Sequence, residues 1–269
     1  MRRKLLTLVL AGAMLGAIPA TASAKDLIGS GSIAAQPVLE ALFQKYEGLH
    51  HNLHFIYTAN GGNAGVQDVQ QGRSQFAANA RPPLPSDAGT TYIKLYLDGL
   101  CIDVNSKNNL KNLSIANLRQ IYLSNTTSWS DVSGSNLNAT IQPFSRDTNG
   151  GTFNFFQQAV MNNQPVGGSV TPLTADGLVV NAVKGNDNAI GYAGLAYQKT
   201  SGIRSTKVNG IPCSAKKVKK LRYPLSRFIW LVLPNSGPSK DVQKFADWTR
   251  TSKAAGKVIA KSGGVPAFN

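Results

Sequence analysis

Arg146 is followed by Gly150, Gly151 and Thr152 within the stretch QPFSRDTNGGTFNFF, residues 142–156. A guanidinium is a permanent cation whose planar fork of N–H groups matches the oxygens of an oxyanion. Paired glycines let the backbone turn tightly and aim its N–H groups at one point. Phe153, Phe156 and Val160 then fall at helical spacing, which starts a helix at the glycines. The first N–H groups of a helix lack intrahelical acceptors and carry the positive end of its dipole. With Thr152 as a hydroxyl donor, the combination describes an anion cradle. A helix cap beside a surface arginine is the alternative reading of the same residues.

Two earlier turns repeat the arrangement. Leu27-Ile28 reads as a strand end and Gly29-Ser30-Gly31-Ser32 as a turn. Pro37 suits the first turn of a helix whose inner face is Val38, Leu39, Leu42, Phe43 and Tyr46. Ser32 and the N–H of Ile33 stand at its start, placed to meet an anion. Phe55-Ile56-Tyr57, the turn Asn60-Gly61-Gly62-Asn63 and a helix through Val66 and Val69 form the second copy. Phe76-Ala77-Ala78 then resumes a strand ending near Arg81 and a Pro-Pro pair. Such β–α alternation predicts an α/β fold with parallel strands, whose ligands sit at the strand carboxyl ends.

Farther along, Leu95–Val104 reads as a buried strand or crossover, and Ser114 caps a helix through Leu123 with Ile115, Leu118, Ile121 and Tyr122 inward. Trp129 and Asp131 fall in a loop. Gly177–Lys184 reads as helix, Asn188–Tyr197 as a strand and turn, and Tyr223–Pro234 as the most strand-like segment. Asp241–Ala260 reads as one closing amphipathic helix with Phe245, Trp248 and Val258 facing the core.

Residues 1–24 carry the marks of a cleaved signal peptide: basic Arg2, Arg3 and Lys4, an apolar run Leu5–Pro19 too short to span a membrane, and Ala22-Ser23-Ala24. An exported, periplasmic product is expected, without a lipid anchor. Without Arg2, Arg3 and Lys4 the chain keeps 25 Lys and Arg against 13 Asp and Glu, a net of +12. That balance favours anionic partners; export and the lack of a recognised motif argue against nucleic acid. The two cysteines, Cys101 and Cys213, are expected to form a disulfide in an oxidising compartment. The histidines, His50, His51 and His54, lie together on a polar stretch without a nearby carboxylate–helix context, which favours surface histidine over a metal site. No nucleophile elbow, zinc-protease motif or Walker loop occurs. No enzyme activity, cofactor or metal is expected.

Six segments, in order along nearly the whole mature chain, resemble the periplasmic phosphate-binding proteins of phosphate ABC transporters: GSGSIAAQP, YTANGGNAGVQDVQQGRSQFAANA, LSIANLRQIYLSNTTSWSDV, IQPFSRDTNGGT, NAIGYAGLAY and YPLSRFIWLVLP. The resemblance implies a type II periplasmic binding protein of the α/β class, two lobes joined by two hinge crossovers near Leu97–Asp103 and Tyr223–Phe228. Residues 25–98 and 226–269 would form lobe 1, and residues 99–225 lobe 2. It implies capture of phosphate or a similar tetrahedral oxyanion between the lobes, delivery to an ABC transporter membrane permease, and a monomer.

Carried over by position, Ser32 and Ile33 would donate hydroxyl and N–H, and Arg146 matches the family's binding arginine. Gly150, Gly151 and Thr152 fall on its Ser-Gly-Thr. Gly62 stands where the family has a serine, and Ala80 where it has an aspartate. Asn63 and Arg81, next to those positions, complete the candidate ligand set. Two lost hydroxyl donors should cost roughly 1–3 kcal/mol each if nothing substitutes. The family's aspartate accepts the proton of hydrogen phosphate, so Ala80 implies that discrimination against sulfate is lost or moved, with Arg81 and Asp147 as replacements. Sulfate, another anionic solute, or a role in sensing or surface adhesion through Lys216, Lys217, Lys219, Lys220 and Arg222 remain as alternatives. A solvated loop or a transporter-docking patch are the other readings of that basic run.

Overall fold

The long strand β4 (Thr90–Asn105) ties the molecule together. The structure is a computed structural model describing residues 24–268, so the expected signal peptide lies outside the described residues apart from Ala24. Along residues 90–99 β4 pairs antiparallel with β10 (Ser226–Pro234); from Leu100 onward it pairs with β8 (Ala189–Gly194) and β9 (Ile203–Val208). The change of partner occurs at Gly99. A Cβ there would lie 2.7 Å from Val218 Cγ2 and 3.2 Å from Cys213 Sγ, so only glycine lets the strand pass this point.

On one side, β1 (Lys25–Gly31) runs parallel to β2 (Leu53–Thr58) and β3 (Phe76–Asn79), with α1 (Gln36–Glu47) and α2 (Gly62–Gln70) as the connections. On the other, β6 (Gln142–Arg146) runs parallel to β7 (Thr171–Leu173) and β8, connected by α4 (Gly151–Ala159) and α5 (Asp176–Gly185). The main strand order is β2-β1-β3-β10-β4-β8-β6-β7. β5 (Asn112–Leu113) pairs with β9, and α3 (Ile115–Tyr122) follows it. This is the type II periplasmic binding fold, with two α/β lobes sharing β4 and β10.

Each lobe has its own core. Leu39, Leu42, Phe43, Phe55, Phe76, Leu231 and Phe245 meet in one, where Phe43 stacks on Phe55 at 4.4 Å. Ile102, Leu118, Tyr122, Trp129, Phe156 and Tyr192 meet in the other, where Phe156 stacks on Tyr192 at 4.1 Å. Burial of such faces from water is the main drive for folding. Helix α1 buries all five residues that its spacing predicts, and Ser114 Oγ caps α3 by accepting from Asn117 N–H.

The single closing helix is a correction. Residues 240–261 form two helices, α7 (Lys240–Thr251) and α8 (Lys253–Lys261). Ser252 takes extended backbone between them, and its hydroxyl accepts from Ala254 and Ala255 N–H, so it caps the second helix instead of continuing the first. Phe245 stays buried, while Trp248 and Val258 are partly buried against the same core. Trp129 sits in a 3-10 turn, fully buried, its indole N–H donating to Asn188 O. Part of the basic run is helical as well: α6 (Ala215–Lys219) is pinned by buried Val218, with Lys216 and Lys220 exposed. His50 lies on Tyr46, and exposed His54 contacts Asp26 at 3.0 Å.

Cys101 and Cys213 form the expected disulfide, 112 residues apart in sequence. Closing so long a loop is worth about 4–5 kcal/mol in the chain-entropy model. Denaturant unfolding with and without reductant should differ by an amount of that order.

Asp103, on the second-lobe part of β4, is buried, which pushes its carboxyl up to about 6 despite a 2.5 Å hydrogen bond from Ser205 Oγ. The folded chain therefore holds this proton more tightly than the unfolded chain. The contribution to stability is fully present below about pH 4 and is lost as pH rises through about 6. Asp103→Asn should flatten this slope and raise stability above pH 6 by on the order of 2 kcal/mol, as read by urea unfolding across the range.

Candidate functional site

Three strand-to-helix turns converge where the lobes meet. In the first, Gly31 has φ of +122°, and a Cβ on it would fall 2.3 Å from Ala78 O. Ser32 N–H donates to Ala78 O at 2.8 Å, and buried Ser32 Oγ accepts from Ala35 N–H at 3.3 Å, leaving the hydroxyl proton free to donate. Tyr57 hydroxyl holds Ser32 O at 3.1 Å, and Ile33 is half-buried at the bend. In the second turn, Gly61 has φ of +103° and its N–H donates to Gly31 O at 2.9 Å, locking the two turns together. In the third, Arg146 ends β6 and Gly151 begins α4, with Gly150 N–H donating to Asp147 O at 3.3 Å.

Asn79 fills the seam between the lobes. Its Nδ2 donates to Gly62 O at 3.2 Å and to the Tyr92 hydroxyl at 3.4 Å. Its Oδ1 accepts from Ala80 N–H at 2.8 Å and Arg81 N–H at 3.3 Å. A Cβ on Gly62 or on Gly151 would fall 2.4 Å from that oxygen. The carboxamide thus occupies the space a side chain at position 62 would need, which is the physical reason for glycine there. Asn63 Oδ1 reaches across the seam, accepting from Asn154 Nδ2 at 3.1 Å and from Arg81 Nε at 2.9 Å. Ala80 is fully buried in the first-lobe core and offers no acceptor.

Every arginine here already has a carboxylate. Buried Arg146 bonds Asp176 through Nη1, Thr174 O through Nη2 at 2.8 Å, and Leu173 O through Nε at 3.2 Å. Arg146 is therefore no surface arginine, and no isolated charge either: three of its five N–H groups are taken and its net charge is balanced. Nη2 lies against Gly150, 2.9 Å from where a Cβ would be. Arg227 on β10 grips Asp98 Oδ2 through Nε (2.9 Å) and Nη2 (2.7 Å), and its Nη1 donates to Thr152 Oγ1 at 3.0 Å. With one lone pair so engaged, the Thr152 hydroxyl is set to donate its own proton. Asp98 also accepts from Leu195 N–H, and Asp176 from Gly194 N–H, so the two ion pairs join through β8 and the turn after it.

Arg81 donates to both oxygens of Asp87, through Nη1 to Oδ2 at 2.6 Å and through Nη2 to Oδ1 at 3.0 Å. Burial pushes the Asp87 carboxyl up, but Arg81, Leu84 N–H and the Tyr92 hydroxyl outweigh it and hold it below its ordinary value. A guanidinium so committed positions Asn63; it supplies no acceptor in place of the missing aspartate. The candidate residues are thus brought to one seam, with Arg81 at its back. Sequence reading passed over Asn79, Asn154, Asp98, Asp176 and Arg227. Two of these left a signal: Asp98 interrupts LYLDGLCIDV and Arg227 interrupts YPLSRFIWLVLP, and a charge inside an apolar strand asks for a buried partner.

A set of N–H and hydroxyl donors around a helix start, with arginines neutralised nearby, suits a small anion stripped of water. The phosphate-binding protein PstS of Staphylococcus epidermidis is 29% identical over 243 residues, 83% of this chain and 74% of that protein. A phosphate ABC transporter substrate-binding protein of Clostridium perfringens, solved with bound phosphate, superposes with a TM-score of 0.84 at 24% identity over 90% of this chain and 99% of its own. An ABC-type phosphate transport receptor of Vibrio cholerae superposes with a TM-score of 0.76 at 22% identity, over 89% and 99%. The sequence family described as the PBP superfamily domain matches residues 17–253. With that match over most of its length, the chain belongs to the PBP superfamily.

Proposed function

We propose that this chain is a solute-binding protein, not an enzyme, that captures phosphate between its two lobes for delivery to an ABC transporter. The observation that carries the proposal is the meeting of three glycine turns at one interlobe seam beside Arg146 and Thr152. Lobe 1 comprises residues 25–98 and 226–269, and lobe 2 residues 99–225. Ser32 and the N–H of Ile33 approach the anion from the first lobe, beside Gly62. Gly150, Gly151, Thr152 and the two remaining N–H groups of Arg146 approach from the second. Asn63, held by Arg81, latches the lobes through Asn154. Because the arginine charges are already balanced, most of the affinity comes from oriented donors in a site that closure dries out.

The relatives named as phosphate-binding proteins support phosphate as the solute. The marks of a signal peptide support a periplasmic location, where a membrane permease receives the anion from a monomeric carrier. Calorimetric titration of anion-stripped protein with phosphate tests the reading. A saturable one-to-one isotherm, with a smaller radius of gyration on binding, is the expected result. No heat and no compaction at millimolar phosphate would overturn it.

A further inference from the structure

Going beyond solute capture, we propose that a lysine-rich face spanning both lobes is a docking surface for an anionic lipid bilayer, with Leu49 and Leu221 as its apolar tips. The face is built around Lys261, at the end of α8. Lys261 and Ser262 border two adjoining surface hollows. One is shared with Gln44, Lys45 and Gly48 at the end of α1, the other with Lys199 and with Ala215, the first residue of α6. Among the described residues, no carboxylate and no aromatic ring lines either hollow. Ile259 of α8 is buried in the first-lobe core and Val218 of α6 in the second, so the face crosses from one lobe to the other.

Its charge is not neutralised from within. Lys45, Lys199, Lys216, Lys220 and Lys261 are exposed, and none of them forms an ion pair among the described residues. Lys253, Lys257 and Lys261 recur every fourth residue on the exposed side of α8, opposite buried Ala255 and Ile259. Like charges gathered without counter-charges repel one another, and an anionic surface relieves that repulsion.

Two apolar side chains stand at the ends of this face. Leu221 and Leu49 are 57% and 51% exposed, more than any other large apolar side chain among the described residues. Leu49 follows Gly48, and Leu221 lies between Lys220 and Arg222. Leu221 has φ of +50°, the left-handed conformation in which glycine ordinarily ends a helix. Its N–H donates to Val218 O at 2.8 Å and Arg222 N–H to Lys217 O at 2.9 Å, which closes the end of α6. A leucine is thereby held in water within a basic cluster. Basic side chains around exposed apolar tips suit a membrane surface, where lysines meet anionic headgroups and leucines enter the acyl boundary. A nucleic acid strand would ask for rings on which to stack its bases, and the hollows have none.

The test is co-sedimentation of the chain from residue 25 onward with vesicles of phosphatidylglycerol mixed with phosphatidylcholine, and with vesicles of phosphatidylcholine alone. Wild type should bind the anionic vesicles at about 0.05 M salt, release them at about 1 M salt, and ignore the neutral ones. Lys216→Glu/Lys261→Glu should weaken binding by about 30-fold or more. Lys107→Glu/Lys184→Glu makes the same change in net charge beyond the far end of β4, where Asn105 holds Lys184 O, and should weaken it by under about 5-fold. Leu49→Ser/Leu221→Ser should weaken it by about 10-fold and leave the salt dependence in place. Thermal unfolding curves confirm that the variants fold, and phosphate titration is a separate readout that the lysine and leucine variants should leave unchanged. Equal losses from the two lysine pairs would mean that net charge alone acts, and would overturn the assignment. So would no binding of wild type to anionic vesicles at low salt, or binding of linear polyphosphate or single-stranded DNA in their place.

Discussion

Arg146→Ala is expected to abolish measurable phosphate binding and to destabilise the chain at the same time. The binding loss comes from two charge-assisted donors beside Gly150, worth together more than about 3 kcal/mol. The stability loss comes from what is left behind. Asp176 is 1% exposed and would keep only Gly194 N–H, while Thr174 O and Leu173 O would each lose a donor. Breaking a buried pair from one side costs about 3–5 kcal/mol. The double variant Arg146→Ala/Asp176→Ala separates the two roles: it should recover much of the stability and none of the binding. Urea unfolding and calorimetric titration of the three proteins give the comparison. Phosphate affinity near wild type in either variant would refute the role of Arg146.

Gly151→Val should weaken phosphate binding by about 100-fold or more while leaving the unfolding free energy within about 1 kcal/mol of wild type. Gly151 opens α4 on the second lobe, and a Cβ there would fall 2.4 Å from Asn79 Oδ1 and 3.1 Å from Ala80 N, both on the first lobe. Asn79 cannot yield easily, since its carboxamide makes four hydrogen bonds within its own lobe. The clash is therefore between lobes and not within either core, and hinge opening relieves it. Small-angle scattering should show the variant equally extended with and without phosphate. Compaction on adding phosphate, as in wild type, would mean that position 151 does not gate closure.

These two residues also mark how far the sequence reaches. Strand and helix positions were legible because apolar spacing along α1, α3 and α4, and the apolar run of β4, reflect local geometry. The ordered motifs carried the fold and the convergence of the three turns. The disulfide followed from having just two cysteines in a chain whose N-terminal residues predict export. One boundary was misread: apolar spacing continues through residue 252, and only the hydroxyl of Ser252 turning back on Ala254 and Ala255 shows that the helix ends and restarts. What the sequence by itself determined was thus the kind of protein and the donor-rich turns at its centre. The electrostatic character of the site was decided by tertiary structure alone. Arg146 reads as a free fork of charge until Asp176, thirty residues on, is brought under it. Arg227 and Asp98 lie 129 residues apart and become one buried pair that steers the Thr152 hydroxyl. A charge's partner is set by which strands lie side by side. No spacing along the chain encodes that neighbour, and the free energy of a buried charge depends on it.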